Sequence, residues 1–511
     1  MSPAARAQAP AALNDGSLGL LEAVRLALSR NPDIRVSELQ LVAARGSLQE
    51  ASGAFDTTLF ANATRRRDYT VLTDAQLAQF PPGFPAPATQ FLDTASAQVG
   101  ATQVFRNGIS VSPTITQTRT TDNLSRLQGL DAATVPVYAI SVTVPLLRNS
   151  GRDVVAAAET VARGEVDATR GDLDRNVSQA TFNVVSAYWN YVAAKNTLAI
   201  ASQAESSTER RGRDVDRLIA ADRVPAAQRD LVAADVAAKR TSRISAEQAL
   251  TQARSSLARA IGLTAMEASA VPPAVDDYPA AGAAAEDVLN RLAALRAEAL
   301  DRRGDLRAAM LRAEEARVAL VALRKNLAPQ LDMTFSVGSA GLREGNPASD
   351  FFSALDSRLH GPNALLSFTY QFPVQNNVAQ GQLAQRIAQH DQALVREHDL
   401  REAILTDVET LAQAVRRAAL QLKDARDAVT LFARSVANEE TRRQLGQGTL
   451  IDVITVADRL LQARFSLNSA QLGYALAVAQ LRLATGTLTR LDDTSPAHMT
   501  IDVASLTEVP R

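Results

Sequence analysis

The chain contains two copies of one sequence pattern, and this duplication constrains its fold more than any other feature. The segment "ALSRNPDIR" (27–35) matches "ALDRRGDLR" (299–307) at an offset of 272, and Ser141 and Thr143 match Ser367 and Thr369 at an offset of 226. The second match continues without a gap to Arg217 on Arg443. The difference between 272 and 226 gives the first copy about 46 extra residues between roughly Leu59 and Ser141.

Both copies predict the same order of elements: short helix, medium helix, strand, loop, strand, very long helix, turn and long helix. The long helices carry apolar or small residues at spacings of four and three, which is typical of coiled coils. This seam comprises Ile404, Val408, Leu411, Val415, Ala418 and Leu422 in the second copy, and Leu173, Val177, Ala180, Val184, Tyr188 and Tyr191 in the first. Helices of about 65 residues are roughly 100 Å long. A narrow seam on so long a rod predicts side-by-side assembly.

The predicted strands show one apolar and one small, polar face. The apolar positions are Tyr138, Ile140, Val142, Val144 and Leu146 in the first copy, and Leu331, Met333, Phe335, Val337, Leu366, Phe368, Tyr370 and Phe372 in the second. Runs of about ten residues have the length of a tilted membrane β-strand. The same alternation is also typical of an ordinary half-buried sheet.

Composition narrows the function classes. The 511 residues are 46% apolar, and no window approaches the roughly 18 apolar residues of a transmembrane helix. The 54 Lys and Arg balance 55 Asp and Glu, which argues against a nucleic-acid or anionic-lipid footprint made by net charge. Cysteine is absent, so disulfides and thiolate metal sites are excluded.

The N-terminal residues 1–17 indicate export. Ala5-Arg6-Ala7 before Gln8 has the small-x-small form of a signal-peptidase site, so this segment is interpreted as a residual cleavage region.

No pattern in the chain predicts catalysis. There is no Gly-rich phosphate loop and no H-E-x-x-H motif, and the four histidines (His360, His390, His398 and His498) are scattered. His390 and His398 are interpreted as solvated or pore-facing side chains on a helix. We therefore expect no catalytic residue, metal site or cofactor.

The ordered repeat resembles the TolC-type outer-membrane efflux protein family. The resemblance rests on "SLGLLEAVRLALSRNPDI" (17–34), on "QFP" (371–373) before a long helix and on "RRQLGQGTLIDVITVADRLLQARFSLNSAQLGYALAVAQLRLATG" (442–486). It implies an α+β membrane channel: a trimeric outer-membrane β-barrel, continued across the periplasm by a long α-helical coiled-coil barrel and built from two internal repeats. Strand and helix would meet around Pro145 and Gly151, and near Pro373.

The implied function is that of an exit duct in a tripartite efflux or type I secretion system. A homotrimer in the outer membrane would work with a periplasmic adaptor protein and an inner-membrane transporter. The expected boundaries are 18–262 for the first repeat, 263–284 for a linker, 285–488 for the second repeat and 489–511 for a tail. Within the repeats, we expect helices at 18–54 and 285–327, strands within 57–147 and at 330–339 and 364–373, and helical hairpins at 152–262 and 378–488. The alternative is a soluble periplasmic coiled-coil scaffold or adaptor.

The resemblance also implies adaptor-binding sites at the helical-hairpin turns. The family's apolar-Gly-x motif falls on Leu445, Gly446 and Gln447, and the offset of 226 transfers it to Ile219, Ala220 and Ala221. Ala220 departs from the motif, so unequal binding by the two turns is expected. A purely structural role for Gly446 in the turn is the competing interpretation.

A pore gate is implied close to the second turn. Asp452 matches an inward-facing acid of the family, whereas Thr455 and Gly448 replace the usual second acid and arginine. Three Asp452 carboxylates around a trimer axis would favour cations. The alternative role for Asp452 is stabilisation of a helix start.

The extra residues of the first copy predict a β-hairpin. Two alternating arms within 94–120 flank Asn107-Gly108, a strong hairpin-turn signal. We predict that both arms join the barrel, so that the first copy supplies four strands and the second copy two, which gives 18 strands in the trimer where the family usually has 12. Pro113 favours the alternative, a hairpin folded outside the barrel.

Overall fold

The computed structural model describes residues 16–83, 85, 87–127, 129, 132–345, 348–489 and 506–510. The chain divides into two compact units. Unit 1 comprises Met1–Ala43, Asp167–Leu311 and Val395–Arg511, and unit 2 comprises Ala44–Val166 and Arg312–Leu394. The Ala5-Arg6-Ala7 triplet, His498 and most of the predicted tail lie outside the described residues.

The α-helices of the described chain are α1 Leu20–Arg30, α2 Pro32–Ser52, α3 Asp74–Leu77, α4 Asn123–Leu127, α5 Arg152–Val155, α6 Ala157–Ala220, α7 Ala227–Ile261, α8 Ala283–Glu286, α9 Leu292–Arg302, α10 Gly304–Lys325, α11 Asn377–Gln444 and α12 Leu450–Ala484. Helices α6 and α11 have 64 and 68 residues, in agreement with the predicted length of about 65 residues for the very long helix of each copy. None of the described helices is both long and apolar enough to cross a membrane.

The first hydrophobic core of unit 1 joins α1, α6 and α7 around Trp189. The Trp189 ring stacks on Tyr278, with ring centroids 5.4 Å apart, and the neighbouring Tyr188 hydroxyl donates to Asp276 at 2.8 Å. The predicted linker 263–284 contributes to this core, because Val271 is buried in it and Leu18 bridges to Ala274. The linker is therefore a packed part of unit 1.

The second core of unit 1 joins α9, α11 and α12. Its α11 residues are Ile404, Val408, Ala412, Val415, Ala419 and Leu422. At two positions the predicted seam is wrong by one residue. Ala412 and Ala419 are buried in the core, whereas the predicted Leu411 and Ala418 are only partly buried. A straight α-helix repeats every 3.6 residues and drifts about 20° per heptad, so an additional step of four residues keeps the seam on one side.

Unit 2 contains an antiparallel sheet in the order β1-β2-β3-β4-β5-β7. Its strands are β1 Thr58–Val71, β2 Thr89–Val104, β3 Ser110–Asp122, β4 Ala133–Pro145, β5 Gln330–Gly341, the two-residue β6 Arg343–Glu344, which pairs with β4, and β7 Leu359–Gln371. The predicted strand 364–373 is corrected to β7, which begins five residues earlier. A bulge between Gly338 and Ala340 of β5 lets the ladder continue to Leu359.

The hairpin predicted from the extra residues lies inside this sheet. Strands β2 and β3 pair with each other and with β1 and β4 on either side. Asn107 and Gly108 form the turn, where Gly108 has a φ of +93° and Phe105 N–H donates to the Ile109 carbonyl at 2.8 Å. The pairing of β2 with β3 is interrupted between Val111 and Thr114, so Pro113 lies where this ladder has a gap.

The helical segments of unit 2 connect to the strands at one end of the sheet. Strand β1 starts shortly after α2, β4 ends shortly before α5, β5 starts after α10 and β7 ends before α11. The register places Pro145 opposite Asp332, and Gln330 opposite Gln371, at this end. The described residues of the connections 72–88, 123–132 and 342–358 therefore lie at the far end of the strands.

Candidate functional site

One face of the sheet in unit 2 is lined by small polar side chains. Hydroxyl groups meet across neighbouring strands, with Ser141 Oγ 3.0 Å from Ser336 Oγ and Thr143 Oγ1 3.0 Å from Thr334 Oγ1. The inserted hairpin continues the pattern, because Thr102 Oγ1 lies 3.2 Å from Ser112 Oγ. Each hydroxyl has a cross-strand partner and can still bond to water. This face is suited to contact with an aqueous phase.

The opposite face of the sheet exposes large apolar side chains. Phe335 lies across from Val142 and Leu366, and the register carries this face through all six long strands. The exposed residues of the face include Leu59, Val99, Ile115, Ile140, Phe335, Leu366, Phe368 and Tyr370. So much exposed apolar area marks a surface covered by lipid or protein.

Both edges of the sheet lack a strand partner among the described residues. Strand β1 pairs only with β2, and β7 only with β5, although they contain 14 and 13 residues. Long unpaired edges present rows of backbone donors and acceptors to another chain. The sheet is therefore incomplete without a further partner.

The second helical-hairpin turn, between α11 and α12, exposes its apolar side chain. Gly446 has a φ of +74°, and its N–H donates to the Arg443 carbonyl at 3.1 Å while Gln447 N–H donates to Arg442 at 2.8 Å. Leu445 is 68% exposed and Gln447 is also exposed. The left-handed conformation at this helix end is the one that glycine adopts at little cost.

The first turn, between α6 and α7, has the same two backbone hydrogen bonds as the second turn. They lie two residues further along the chain than the repeat offset of 226 predicts. Asp222 has the positive φ of +52°, and its N–H donates to the Ile219 carbonyl at 2.9 Å. Asp222 thus corresponds to Gly446 at an offset of 224 (446 minus 222). The structural counterpart of Leu445 is therefore Ala221, not Ile219.

The three predicted residues of the first turn lie in different surroundings. Ile219 is partly buried and packs against a small cluster of Val215, Val232 and Leu450. Ala220 and Ala221 are exposed, at the end of α6 and in the turn. This turn therefore lacks an exposed apolar side chain equivalent to Leu445.

Asp452 caps the N-terminus of α12. Its Oδ2 accepts hydrogen bonds from Thr449 N–H at 3.0 Å and from the Thr449 hydroxyl at 2.6 Å, and Asp452 N–H donates back to Thr449 Oγ1 at 3.2 Å. The Thr449 hydroxyl is the main cause that lowers the pKa of the exposed Asp452 carboxyl. The reciprocal bonds form a capping box, with aspartate at the position usually taken by glutamate.

The other two predicted gate positions lie before and after Asp452. Gly448 is in the turn, where an added Cβ would lie 3.3 Å from Arg443 N, so there is little room for a side chain. Thr455 is exposed and lines a groove between α11 and α12 with Phe432 and Arg459. The described residues contain no cluster of three His, Cys, Asp or Glu side chains that could hold a metal ion.

Part of the chain matches a known protein family. Residues 295–487 match the model of the outer membrane efflux protein family. The matched segment is less than half of the chain and is similar to that family. No curated protein matches the chain in a sequence comparison.

Solved structures show the same fold at low sequence identity. The Campylobacter jejuni CmeC outer membrane channel has a TM-score of 0.65 and 13% identity, over 91% of this chain and 85% of that chain. The Vibrio cholerae outer membrane protein VceC has a TM-score of 0.64 and 14% identity, over 91% and 96%. The open state of the Neisseria gonorrhoeae MtrE outer membrane channel has a TM-score of 0.61 and 17% identity, over 94% and 93%. The efflux-channel fold thus extends over nearly the whole chain.

Sequence reasoning missed an ionic contact of α7 with α12. Lys239 Nζ donates to Asp458 on α12 at 2.5 Å and lies 3.2 Å from Asp235 on its own helix. The spacing of Lys239 and Asp235 is visible in the sequence, but Asp458 is 219 residues away, so no local signal reveals the contact with α12.

A buried charge cluster at α6 and α10 was also missed. Burial, and the nearby Asp305 carboxylate, raise the pKa of Asp174 to about 6. Arg303 Nε donates to Asp305 at 3.0 Å, and Arg175 Nε lies 3.6 Å from the same carboxylate. Only "RGD" (303–305) within the second repeat match hints at this cluster in the sequence.

Proposed function

We propose that this chain forms the outer-membrane exit duct of a tripartite efflux or type I secretion system. The observation that carries the proposal is the sheet of unit 2, with exposed apolar residues on one face, paired hydroxyls on the other and two unpaired edges. Lipid outside and water inside require this alternation, and closure into a barrel removes the edges. The match of residues 295–487 to the outer membrane efflux protein family supports the same location.

The duct is a homotrimer in the outer membrane with a helical extension into the periplasm. Three copies pair β1 of one protomer with β7 of the next, so that six long strands from each give an 18-stranded barrel. Barrel diameter grows roughly linearly with strand number, so this lumen is about half as wide again as that of a 12-stranded barrel. A map of the trimer tests this count: residues 95–119 outside the strand ring would reject the enlarged barrel.

Transport through the duct is passive and involves no catalytic step. The cargo, small molecules or polypeptides, is driven by an inner-membrane transporter and reaches the duct through a periplasmic adaptor. The two repeats contribute equivalent helical hairpins, α6 with α7 and α11 with α12, which support a helical barrel built from both copies.

The adaptor binds the hairpin turns, chiefly the second one. Leu445 is 68% exposed at the turn, so it offers apolar area that a bound adaptor would remove from water. In the first turn, exposed Ala220 and Ala221 offer less apolar area, which supports unequal binding. Asp452 contributes to a cation-selective gate near the second turn, flanked by Gly448 and Thr455, in addition to its capping bonds.

A soluble periplasmic scaffold is the competing function, and reconstitution separates the two. The purified protein should require detergent, run as a heat-sensitive trimer on gels and produce single-channel conductance in planar bilayers. A protein that stays monodisperse without detergent and gives no conductance would establish the scaffold function instead.

A further inference from the structure

Unit 2 contains a cavity of about 600 Å³ between strands β1–β3 and the 3-10 segment Ala348–Asp356. The charged residues of its lining are Arg65, Arg67, Asp93, Arg119 and Arg126. Aromatic rings from Phe91 and from the covering segment complete it. No part of the proposed transport route uses this cavity.

The covering segment is held on the sheet by its backbone. Gln117, which is 2% exposed, donates from Nε2 to the Phe351 carbonyl, and the Tyr138 hydroxyl donates to the Leu355 carbonyl at 2.7 Å. Arg343 donates to the Ser353 carbonyl at 2.8 Å. These contacts are made by side chains of three different strands, so the cavity is a built feature of the sheet.

Arginine is the commonest charged residue in the lining of the cavity. Arg65 donates to both oxygens of Asp93, at 3.1 and 2.9 Å, and Arg67 Nε donates to the same carboxylate at 3.2 Å. One aspartate thus serves two arginines, and Arg119 and Arg126 add two further charges at the rim. The cavity is therefore lined by four guanidinium groups and one aspartate. Guanidinium forks match phosphate oxygens in a bidentate geometry.

The position of the cavity on the sheet indicates which anion reaches it. Arg65, Arg67 and Asp93 share the face of Leu59, Val99 and Phe335, the face that the proposed function turns to lipid. Arg67 lies eight residues from Leu59, which is about 27 Å along the strand and roughly 20 Å in depth at a tilt of about 40°. The apolar band of such barrels is about 25 Å tall, so the arginines lie near its edge.

Aromatic side chains mark both edges of this band. At the helix-proximal end of the sheet are Tyr370 and Phe372, both exposed. At the far end Tyr69 contacts Phe91 with ring centroids 6.2 Å apart, and Phe352 is 67% exposed. Aromatic girdles lie at the two interfaces of a membrane barrel. The far girdle coincides with the arginine cavity, at the level of the outer-leaflet head groups.

We propose that this cavity binds the phosphorylated head group of an anionic outer-leaflet lipid, with the arginines on the phosphate and Phe91, Phe351 and Phe352 against the acyl chains. The inference rests on the proposed outer-membrane channel. The chain as a whole carries nearly equal numbers of basic and acidic residues, so the proposed binding depends on the arginines gathered at this cavity and not on the net charge of the protein.

The test uses the purified full-length protein in phosphatidylcholine nanodiscs doped with diphosphoryl lipid A, with bound lipid counted by native mass spectrometry. Each basic residue near an anionic surface contributes severalfold, so Arg126→Gln should weaken lipid A binding about fivefold and Arg119→Gln with Arg126→Gln about 30-fold. Arg126 is exposed on the short helix α4, so its single variant folds even if the double variant does not.

Arg66→Gln is the matched control. Arg66 lies between Arg65 and Arg67 but points to the other face, where it pairs with Asp68 at 2.7 Å, so binding should stay at the wild-type level. Equal lipid A binding by wild type and Arg126→Gln would overturn the inference. Displacement of lipid A by millimolar inorganic phosphate would also overturn the inference, because the cavity would then bind free phosphate and not the lipid. Channel conductance measured on the same samples separates these failures from a failure of the proposed channel.

Discussion

Gly171 of α6 and Gly304 of α10 bring two backbones of unit 1 into direct contact. A Cβ atom on Gly171 would lie 2.5 Å from the carbonyl oxygen of Gly304. The obstacle is backbone, not the end of a flexible side chain, so the neighbour cannot move aside without shifting a helix. This contact also places Asp174 beside the start of α10, where an added Cβ on Gly304 would lie 3.1 Å from the Asp174 Cβ.

Gly171→Ala should therefore lower the free energy of unfolding by about 1–3 kcal/mol, as overpacking does. Gly473→Ala is the control. It lies inside α12 with no atom within 4 Å of an added Cβ, so the better helix propensity of alanine should leave stability unchanged or raise it by up to about 1 kcal/mol. Thermal unfolding of both variants checks the prediction, and a neutral Gly171→Ala would show that the two helices separate freely.

Asp174 should make the stability of unit 1 fall as pH rises. Its pKa is raised from 3.8 to about 6, so the folded protein holds a proton that the unfolded chain releases, and stability declines between about pH 4 and pH 6. Asp174→Asn removes this cost and should be more stable than wild type at pH 8, by about 1–3 kcal/mol, with no difference below pH 4. Denaturant unfolding at several pH values measures the effect.

Asp167→Asn provides the comparison for that pH series. Asp167 is exposed on the same helix, so the variant should follow the wild-type pH profile. A profile of Asp174→Asn that runs parallel to wild type at every pH would contradict the assignment.

A pair of substitutions can separate the observed capping role of Asp452 from its proposed role in the gate. Thr449→Ala removes the cap and should destabilise the start of α12 by about 1 kcal/mol while leaving ion selectivity unchanged. Asp452→Asn should destabilise less, because an amide oxygen still accepts hydrogen bonds, but should weaken cation selectivity and divalent block in single-channel recordings. Unchanged selectivity in Asp452→Asn would leave capping as its role.

The lowered pKa of Asp452 also makes the stabilisation by this cap depend on pH. A depressed carboxyl pKa contributes stability above the unfolded value of 3.8, and this contribution is lost as pH falls through the folded pKa. Amide hydrogen exchange in the first turn of α12 should therefore be slower in the wild type than in Thr449→Ala near neutral pH. This difference should disappear in acid, because protonated Asp452 no longer stabilises the cap and the variant already lacks it.

The two turns should respond differently to a charge. Leu445→Glu places the charge in solvent, so the trimer should form normally while cross-linking to the adaptor and transport are lost. Ile219→Glu buries a charge beside Val215, Val232 and Leu450 and should destabilise the hairpin by several kcal/mol. Adaptor cross-linking and thermal unfolding, measured on both variants, distinguish a lost contact from a lost fold.

Ala221→Glu is the control for position in the first turn. Ala221 is the structural counterpart of Leu445, and it is exposed. If the first turn contributes little to adaptor binding, this variant should fold and cross-link almost as the wild type does. Loss of cross-linking equal to that of Leu445→Glu would show that both turns bind alike.

The local elements were predictable because each has a signal within a few residues. The period of two in β4, β5 and β7, the long seams of α6 and α11 and the Asn107-Gly108 turn all arise from side-chain directions along one segment. The capping box was equally local: "T-x-x-D" at Thr449 and Asp452 can be read before any fold is known. The resemblance to a family added the hairpin turns as sites, although its offset located the first one two residues early.

The order of residues alone predicts a duplicated unit of long helices with apolar seams and of strands with two different faces, because periodicity and repetition can be read along the chain. The placement of the extra hairpin in the sheet between β1 and β4 follows from the strand pairing in the folded chain, because Pro113 is compatible with either placement until the register is known. The folded chain has a second consequence of this kind. It also decided that Asp222 makes the first turn and that Arg65 and Arg119, 54 residues apart, line one cavity. These outcomes depend on register and packing between segments distant in the chain, where a shift of one residue turns a side chain to the opposite face.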